Sequence, residues 1–462
     1  MNNKHIHLIG IGGISMSGIA KVLLNQGNKV TGSDLKNNHL LCNLKKLGAE
    51  IHIGHKEENI DNPDLVVISN AIPEDNVELH KARQKGIPIL QRAEMIAELM
   101  KDKYGVAISG THGKTTTTAM VSLVFEHGKL DPTIMVGGEI DNIDGNVKTG
   151  NGDYLITEAD ESDGSLLYFD PLLSIVTNIE LDHLDYYDSE NKLIDTFVRF
   201  INKPPSSGKA IVCAEDEIIN KIIKDNKIEN VITYGFNKGD LQAKEIELLP
   251  FGSYFSISYN GHDLGEVNLQ IPGRYNILNA LAAVAAGMYA GLSFTNIKSA
   301  LEKFNGVHRR FEKKGLIGEI LVVDDYAHHP TEIKETLAAA RNTGYNRIIV
   351  AFQPHRYSRT KHLFDQFSRS FNEIDHLIIS DIYSADENIQ KLEDKQRAEK
   401  LANTIARKRD FNVDYIDDIR DIPPYLEEII KPRDLVITIG AGDIYKAGEQ
   451  LIEKMRKKRE MA

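Results

Sequence analysis

The stretch YGVAISGTHGKTTTTAMVSLVFEHG, residues 104–128, constrains the fold more than any other. Its apolar run from Val106 to Ile108 breaks at Gly110 and resumes from Thr115 with helical spacing. A strand therefore enters a helix through a glycine turn, a unit that belongs to sheets covered by helices, the α/β class. Gly110 and Gly113 let the backbone N–H groups of the turn, those of Thr111 and His112 among them, converge on one point, and the helix adds the positive end of its dipole. A polyphosphate fits there. Lys114 supplies a point charge for the outer phosphates, Thr115 a hydroxyl suited to Mg²⁺, and Thr116 follows in the same first turn. The longer pattern G-x-x-x-x-G-K-[ST] asks for Gly at position 108, where Ile stands, so only GTHGKT is present. The competing reading is a bare glycine turn with a solvated Lys.

At 462 residues the chain is too long for one core and suits about three domains of ~150 residues each. A net charge of −12 argues against general nucleic-acid affinity, which needs clustered Lys and Arg. Cys42 and Cys213 are the only cysteines and lie far apart, so no disulfide framework is expected and a reducing cytoplasm fits. No apolar run reaches the ~18 residues of a membrane span, and the N-terminus lacks a signal-peptide pattern. No membrane partner is expected.

The opening HIHLIGIGGISMSGIAKVLLNQGNKVTGSD reads as strand, glycine turn, helix and strand, half of a Rossmann-type unit. Gly10, Gly12 and Gly13 allow close backbone approach to a diphosphate, and Asp34 lies about where a ribose hydroxyl is bound. Ser15 holds the place of the third glycine of G-x-G-x-x-G. A nicotinamide cofactor is therefore not secured, while a nucleotide diphosphate of some kind still fits. Strand–helix alternation continues to a first boundary near residue 98.

Beyond the phosphate loop, DYLITEADESD carries an apolar strand into acids, as in a carboxylate strand that faces a phosphate loop across Mg²⁺. Glu158 is the first of these acids. LLSIVTNIELDHLDYY is another strand with a polar end that includes His183, and a lone His is more often structural than a ligand. Between Val231 and Ile271, ITYGF, YFSISY and EVNLQI read as antiparallel sheet. In PGRYNILNALAAVAAGMYAG, Asn276 and Asn279 share a helix face. Paired amides can read a purine edge, with helix capping the alternative for Asn276. The last domain alternates again, each strand ending in a polar cluster. In a doubly wound sheet those ends line the crevice, which gathers Asp324, Asp325, His328, His329, His355, Arg356 and Arg359 on one edge; the adjacent His328 and His329 are poorly spaced for joint metal ligation and are read as substrate contacts.

HLIGIGGISMSGIA, GTHGKTTT, TEADESD, VTNIELDHLD, PGRYNILNA, GVHRRFE, DDYAHHPTE and FQPHRYSRT occur in the order in which the Mur ligases carry them. The chain resembles that family along its full length, and within it the alanine-adding branch. The resemblance implies three α/β domains: a Rossmann-like UDP-binding domain at 1–98, a central P-loop ATPase-like domain at 99–306, and a Rossmann-like domain at 307–462 that admits an amino acid. It implies a cytoplasmic ligase of peptidoglycan precursor synthesis, with UDP-N-acetylmuramate and L-alanine as substrates and ATP and Mg²⁺ as cofactors. A monomer and a homodimer are both compatible with the sequence.

Matched residue by residue, Lys114 contacts the terminal phosphates, Thr115 and Glu158 hold one Mg²⁺, and His183 is similar to a second-metal ligand. Asn276 and Asn279 match adenine-reading positions, Arg310 a phosphate-contacting Arg, and Asp325 a ribose-binding Asp. His328, His355, Arg356 and Arg359 look like the surroundings of the incoming amino acid. Lys114, His183, Arg310 and His328 form the expected catalytic set. Some family members carry a carbamylated Lys where Val198 stands here, a Lys the alanine-adding branch generally lacks, and Tyr275 replaces a common His. A ligase adding a whole peptide to the same sugar is the nearest alternative. A NAD-dependent oxidoreductase and a regulatory NTPase are more remote ones.

Overall fold

The computed structural model describes residues 3–143, 145–180, 187, 189–385, 387 and 396–461. Its strands form three sheets. The first contains β1 (His5–Ile9), β2 (Lys29–Asp34), β3 (Glu50–Ile53), β4 (Leu65–Ile68) and β5 (Ile89–Gln91), in the order β3-β2-β1-β4-β5. All its pairings are parallel. The strand order reverses beside β1, so the crevice opens at the carboxyl ends of β1 and β4, where Gly10–Gly13 leave β1.

The second sheet has ten strands: β6 (Tyr104–Ser109), β7 (Thr133–Ile140), β8 (Gly145–Lys148), β9 (Tyr154–Glu158), β10 (Leu173–Val176), β11 (Lys209–Cys213), β12 (Val231–Gly235), β13 (Leu241–Leu249), β14 (Gly252–Tyr259) and β15 (His262–Leu269). Their order is β15-β14-β13-β12-β11-β10-β6-β9-β7-β8. Val106, Ala107 and Ile108 of β6 are fully buried, as a parallel strand covered on both faces requires. Ile108 pairs with both Glu158 and Ile175, and Ser109 with Val176. The turn after β6 therefore emerges between Glu158 on one side and Thr177–Asn178 on the other. ITYGF, expected in antiparallel sheet, instead forms β12, which lies parallel to β11. Alternation in so short a strand does not reveal its direction. Within 231–271 the hairpin-connected strands are β13–β15, whose two-residue turns include Asn260 and Gly261, both at positive φ; at the sheet's other end β8 runs antiparallel to β7.

The third sheet contains β16 (Glu312–Ile317), β17 (Ile320–Asp325), β18 (Arg347–Phe352), β19 (His376–Ile379), β20 (Asn412–Tyr415) and β21 (Asp434–Ile439), in the order β16-β17-β21-β18-β19-β20. Only β16 is antiparallel to its neighbour. Alternate residues of β17, β18 and β21 enter two cores, with Leu321, Val323, Val350 and Ile437 on one face and Val322, Ile349, Ala351 and Val436 on the other.

The chain forms two compact units, one of Met1–Lys244, Ser256–Val267 and Leu278–Phe304, the other of Glu245–Phe255, Asn268–Ile277 and Asn305–Ala462. Residue 98 falls in the last turn of the helix Arg92–Met100, and residue 306 in the loop between the helix Phe294–Leu301 and β16. Cys42 and Cys213 are free thiols. Among the described residues, no helix is long and apolar enough to cross a membrane.

Candidate active site

β6 delivers the turn Gly110–Gly113 to the start of the helix Lys114–His127. Gly110 has φ +127°, and a Cβ there would lie 2.2 Å from Thr177 Oγ1; Gly113 has φ +82°, and its Cβ would lie 2.8 Å from Asn279 Oδ1. Both positions need glycine for close packing as well as for the turn. The segment after β10 clamps this turn. The N–H of Thr111 donates to Asn178 O (3.1 Å), the N–H of His112 to Asn178 Oδ1 (2.9 Å), and Asn178 Nδ2 to His112 O (2.9 Å). The N–H of Glu180 donates to Thr111 Oγ1 at 2.8 Å, and His112 Nε2 meets Glu180 Oε2 at 2.7 Å. The N–H groups of Thr111 and His112 thus both donate to Asn178. The helix start is where donors for a phosphate remain: first-turn N–H groups have no intrahelical acceptor, and Gly113 offers no side-chain cap.

Lys114 Nζ donates to Glu161 Oε1 (2.7 Å), Glu161 Oε2 (2.9 Å) and Gly110 O (2.6 Å). Burial opposes its charge, but the carboxylates of Glu161, Asp160 and Glu158 outweigh burial and raise its pKa. The half-exposed Thr115 and the buried Thr116 follow in the helix. Asn279 Oδ1 accepts from Thr117 Oγ1 at 3.1 Å, tying that Asn to the same helix.

Glu158 ends β9 and accepts the N–H of Gly137 at 2.7 Å. A cavity of about 120 Å³ opens here, lined by Lys114, Gly137, Glu158 and Asp160 around the second sheet and by Ser15 and Arg92 from the first. Arg92 Nη2 stands 3.9 Å from Asp160 Oδ2, and its Nη1 donates to Ser15 Oγ at 3.4 Å. Burial pushes Asp160 up, but the Lys114 charge, the Ser162 bonds and Arg92 together hold it below the usual carboxylate range. Lys21 Nζ donates to Val147 O (3.0 Å) and Asn146 Nδ2 to Ile14 O (3.1 Å), which fixes the first sheet's glycine turn beside the phosphate loop. In that turn Gly12 N donates to Asp34 Oδ2 at 2.8 Å and Asn38 Nδ2 to Gly12 O at 3.0 Å. Asp34 therefore closes the turn, a role that its position at a strand end does not announce. Thr115 and Glu158 offer oxygen donors only, a set that fits Mg²⁺. His183 lies outside the described residues.

In the other unit, the loops after β17 and β18 bring their histidines together, with ring centroids of His328 and His355 6.0 Å apart. His355 stacks on Tyr383 at 5.4 Å and 10°, and Arg359 Nη1 lies 3.5 Å from its Nδ1. His328 Nδ1 is 3.1 Å from Tyr326 O. A carbonyl only accepts, so Nδ1 carries the proton and Nε2 the lone pair. Burial, with Arg359 and Arg310 adding to it against Glu332, holds His328 at about 3. Burial, Arg359 and Arg356 hold His355 at about 4. Both rings are neutral at pH 7. Arg310 Nη1 stands 3.6 Å from Glu332 Oε1, and the guanidinium lies 5.2 Å from the Tyr326 ring. Arg356 sits at φ +69° with its N–H on Tyr383 O at 2.8 Å. Such a conformation costs about 1–3 kcal/mol in a non-glycine residue and tends to mark functional loops.

Two residues expected on this edge have partners within the protein. Asp324 is buried against Arg309 Nε (3.1 Å) and Thr438 Oγ1 (2.6 Å). His329 is buried and caps the helix Pro330–Arg341, with Glu332 completing a capping box. Asp325 accepts from Phe311 N (2.9 Å) and Ala327 N (2.7 Å), and burial pushes it up to about 6. Asn276 Nδ2 donates to Pro272 O at 2.6 Å, and the neighbouring Tyr275 hydroxyl is held well above its ordinary pKa by burial. Sequence reasoning missed Glu161, Asn178 and Arg92. The polar residues after Glu158 and after Val176 were a signal for the first two; Arg92, on a helix far from any motif, left none.

Models of the family match nearly the whole chain: the Mur ligase catalytic domain at residues 5–104, the Mur ligase middle domain at 108–287, and the Mur ligase glutamate ligase domain at 309–442. The UDP-N-acetylmuramate–L-alanine ligase of Trichlorobacter lovleyi is 49% identical over 458 residues, which is 98% of this chain and 99% of that one. The crystal structure of the UDP-N-acetylmuramate-alanine ligase from Thermotoga maritima matches with a TM-score of 0.81 at 31% identity, covering 99% of this chain and 100% of that one. A murein peptide ligase from Psychrobacter arcticus shares the fold, with a TM-score of 0.71 at 24% identity over 98% of this chain and 99% of that one. The chain belongs to the Mur ligase family.

Proposed function

We propose that the chain joins L-alanine to the lactyl carboxylate of UDP-N-acetylmuramate, converting ATP to ADP and phosphate, in the cytoplasmic synthesis of peptidoglycan precursors. The observation that carries this reading is the cavity in which Lys114 and Glu158 share walls with Arg92 and Ser15. A nucleotide-sugar crevice and a phosphate loop that open on one space can present a carboxylate to a γ-phosphate. Full-length relatives that bear the alanine-ligase name support the choice of amino acid.

A free carboxylate resists amines at neutral pH, so it must first be made electrophilic. The lactyl carboxylate attacks the γ-phosphorus in line, the bond to the β-phosphate oxygen breaks, and an acyl phosphate and ADP result. The alanine amine then adds to the acyl carbon, its surplus proton passes to a phosphate oxygen or to water, and phosphate departs as the amide forms. Lys114 and the N–H groups at the start of its helix oppose the charge on the phosphoryl oxygens. Arg92 is placed to hold the lactyl end of the sugar substrate in the cavity. Thr115 and Glu158 would hold Mg²⁺, with His183 a candidate for a second ion, and Mg²⁺ when bound supplies positive charge to the phosphates. Arg310 is assigned to phosphate, Asn276 and Asn279 to adenine, and Asp325 to ribose. Gly10, Gly12, Gly13, Ser15 and Asp34 are assigned to the UDP-sugar side.

Arg359, with Arg356, takes the alanine carboxylate as a fork of hydrogen bonds. His328 offers its Nε2 lone pair to the amine. Held at about 3, it is too weak a base to remove a proton at pH 7 and instead orients the amine beside His355. Phosphate release with UDP-N-acetylmuramate against a panel of amino acids and one tripeptide tests the reading. L-Alanine should dominate; a preference for the tripeptide would move the chain to the peptide-adding ligases.

A further inference from the structure

Lys114 has three N–H bonds to give and three acceptors within 2.9 Å: both Glu161 oxygens and Gly110 O. A fourth, Thr111 O, lies at 3.4 Å. No donor of this ammonium is left for a phosphoryl oxygen. Glu161 is only 2% exposed, and its backbone is pinned where its O accepts from the Tyr187 hydroxyl and from Gly164 N. Lys114 lines the cavity and Glu161 does not.

We propose that Glu161 is the resting counter-ion of Lys114, a positioning residue that a phosphoryl oxygen must displace before the ammonium can serve the phosphate. This rests on the reading that the loop binds ATP. A buried ammonium without a partner is strongly unfavourable, so the empty loop needs Glu161 to keep Lys114 charged and aimed. When the nucleotide enters, at least one bond passes from Glu161 to phosphate. When products leave, Glu161 recovers the ammonium and favours their release. The carboxylate thus weakens ATP binding in return for a loop that stays assembled and lets go.

The test is calorimetric titration of the Mg²⁺ complex of β,γ-imido-ATP into the wild-type chain, Glu161→Gln, Lys114→Gln and the double variant, each checked by thermal unfolding. Glu161→Gln should bind about tenfold more tightly, the size expected when a charge-assisted bond no longer competes. The gain should vanish in the Lys114→Gln background. Unchanged or weaker binding by Glu161→Gln overturns the proposal, as does a gain that persists without Lys114, which would reflect loss of negative charge alone. If Glu161→Gln does not fold, Glu161→Asp, whose shorter reach weakens the same pair, should show a smaller gain of the same sign, and a loss would overturn the proposal. Failure of the wild-type chain to bind the nucleotide would instead remove the ATP reading itself.

Discussion

Asn178 is the test of whether the phosphate loop is a preformed device or a turn that happens to hold glycine. Its amide accepts from His112 N and donates to His112 O, both at 2.9 Å. In Asn178→Ala the two partners fare differently. His112 O keeps the Thr177 hydroxyl at 2.5 Å, while His112 N, half-buried, loses its acceptor. Removing one acceptor from a half-buried N–H of this kind costs about 1–3 kcal/mol. Taking ~2 kcal/mol as the amount by which the closed turn loses ground to open ones, KM for ATP should rise up to about thirtyfold. Steady-state phosphate release at varied ATP, with saturating sugar and amino acid, gives the number, and urea unfolding gives the stability loss independently. KM for ATP within twofold of wild type, in a variant destabilised by the full amount, would show that the clamp holds the fold together and has no part in nucleotide binding.

Other perturbations bear on separate parts of the account. Glu78, buried in the first sheet's unit, accepts from Ser33 Oγ and Asn59 Nδ2 at 2.5 Å and from Lys56 N at 3.2 Å, with His7 Nε2 at 3.4 Å. Burial alone would raise its pKa, but these bonds hold it at about 2 against an ordinary 4.5. Its folded pKa being the lower one, its contribution of about 3 kcal/mol is complete above pH 4.5 and disappears as pH falls toward 2. Urea midpoints should therefore separate wild type from Glu78→Gln widely at pH 7 and much less at pH 3, and an equal gap at both would contradict this. Gly110→Ala places a Cβ 2.2 Å from Thr177 Oγ1 at φ +127°, so it should lose at least ~2 kcal/mol and most nucleotide binding; a variant active at wild-type ATP concentrations would remove the close-packed turn. Arg359→Lys loses the planar fork and should raise KM for alanine about tenfold with KM for ATP unchanged. The alanine kcat/KM profile should show no inflection from His328 or His355 between pH 5 and 8, since burial holds them at about 3 and 4.

Much of this architecture is legible in the chain because parallel α/β sheets place chemistry by rule, at strand carboxyl ends. That rule brings Glu158 beside the turn after β6 and sets His328 near His355. It does not show which polar residues at such ends also hold a neighbour within the protein. Asp34 closes its own glycine turn, His329 caps a helix, and Asp324 pairs with Arg309, none of which differs in local sequence from a ligand contact. Glu161 lies 47 residues from Lys114, and only the adjacency of β6 and β9 makes them partners. Arg92 enters the cavity from a different sheet's helix, so no motif of either sheet contains it. The direction of β12 depends on its neighbour β11, which a short alternating segment does not encode.

The central claim is that the sugar's carboxylate is itself phosphorylated before the amine arrives. Its most direct test is turnover with UDP-N-acetylmuramate labelled with ¹⁸O in both lactyl carboxylate oxygens, followed by mass analysis of the released phosphate. Transfer through an acyl phosphate predicts one labelled oxygen in each phosphate formed, with the other retained in the amide. Unlabelled phosphate accompanying labelled product would contradict it.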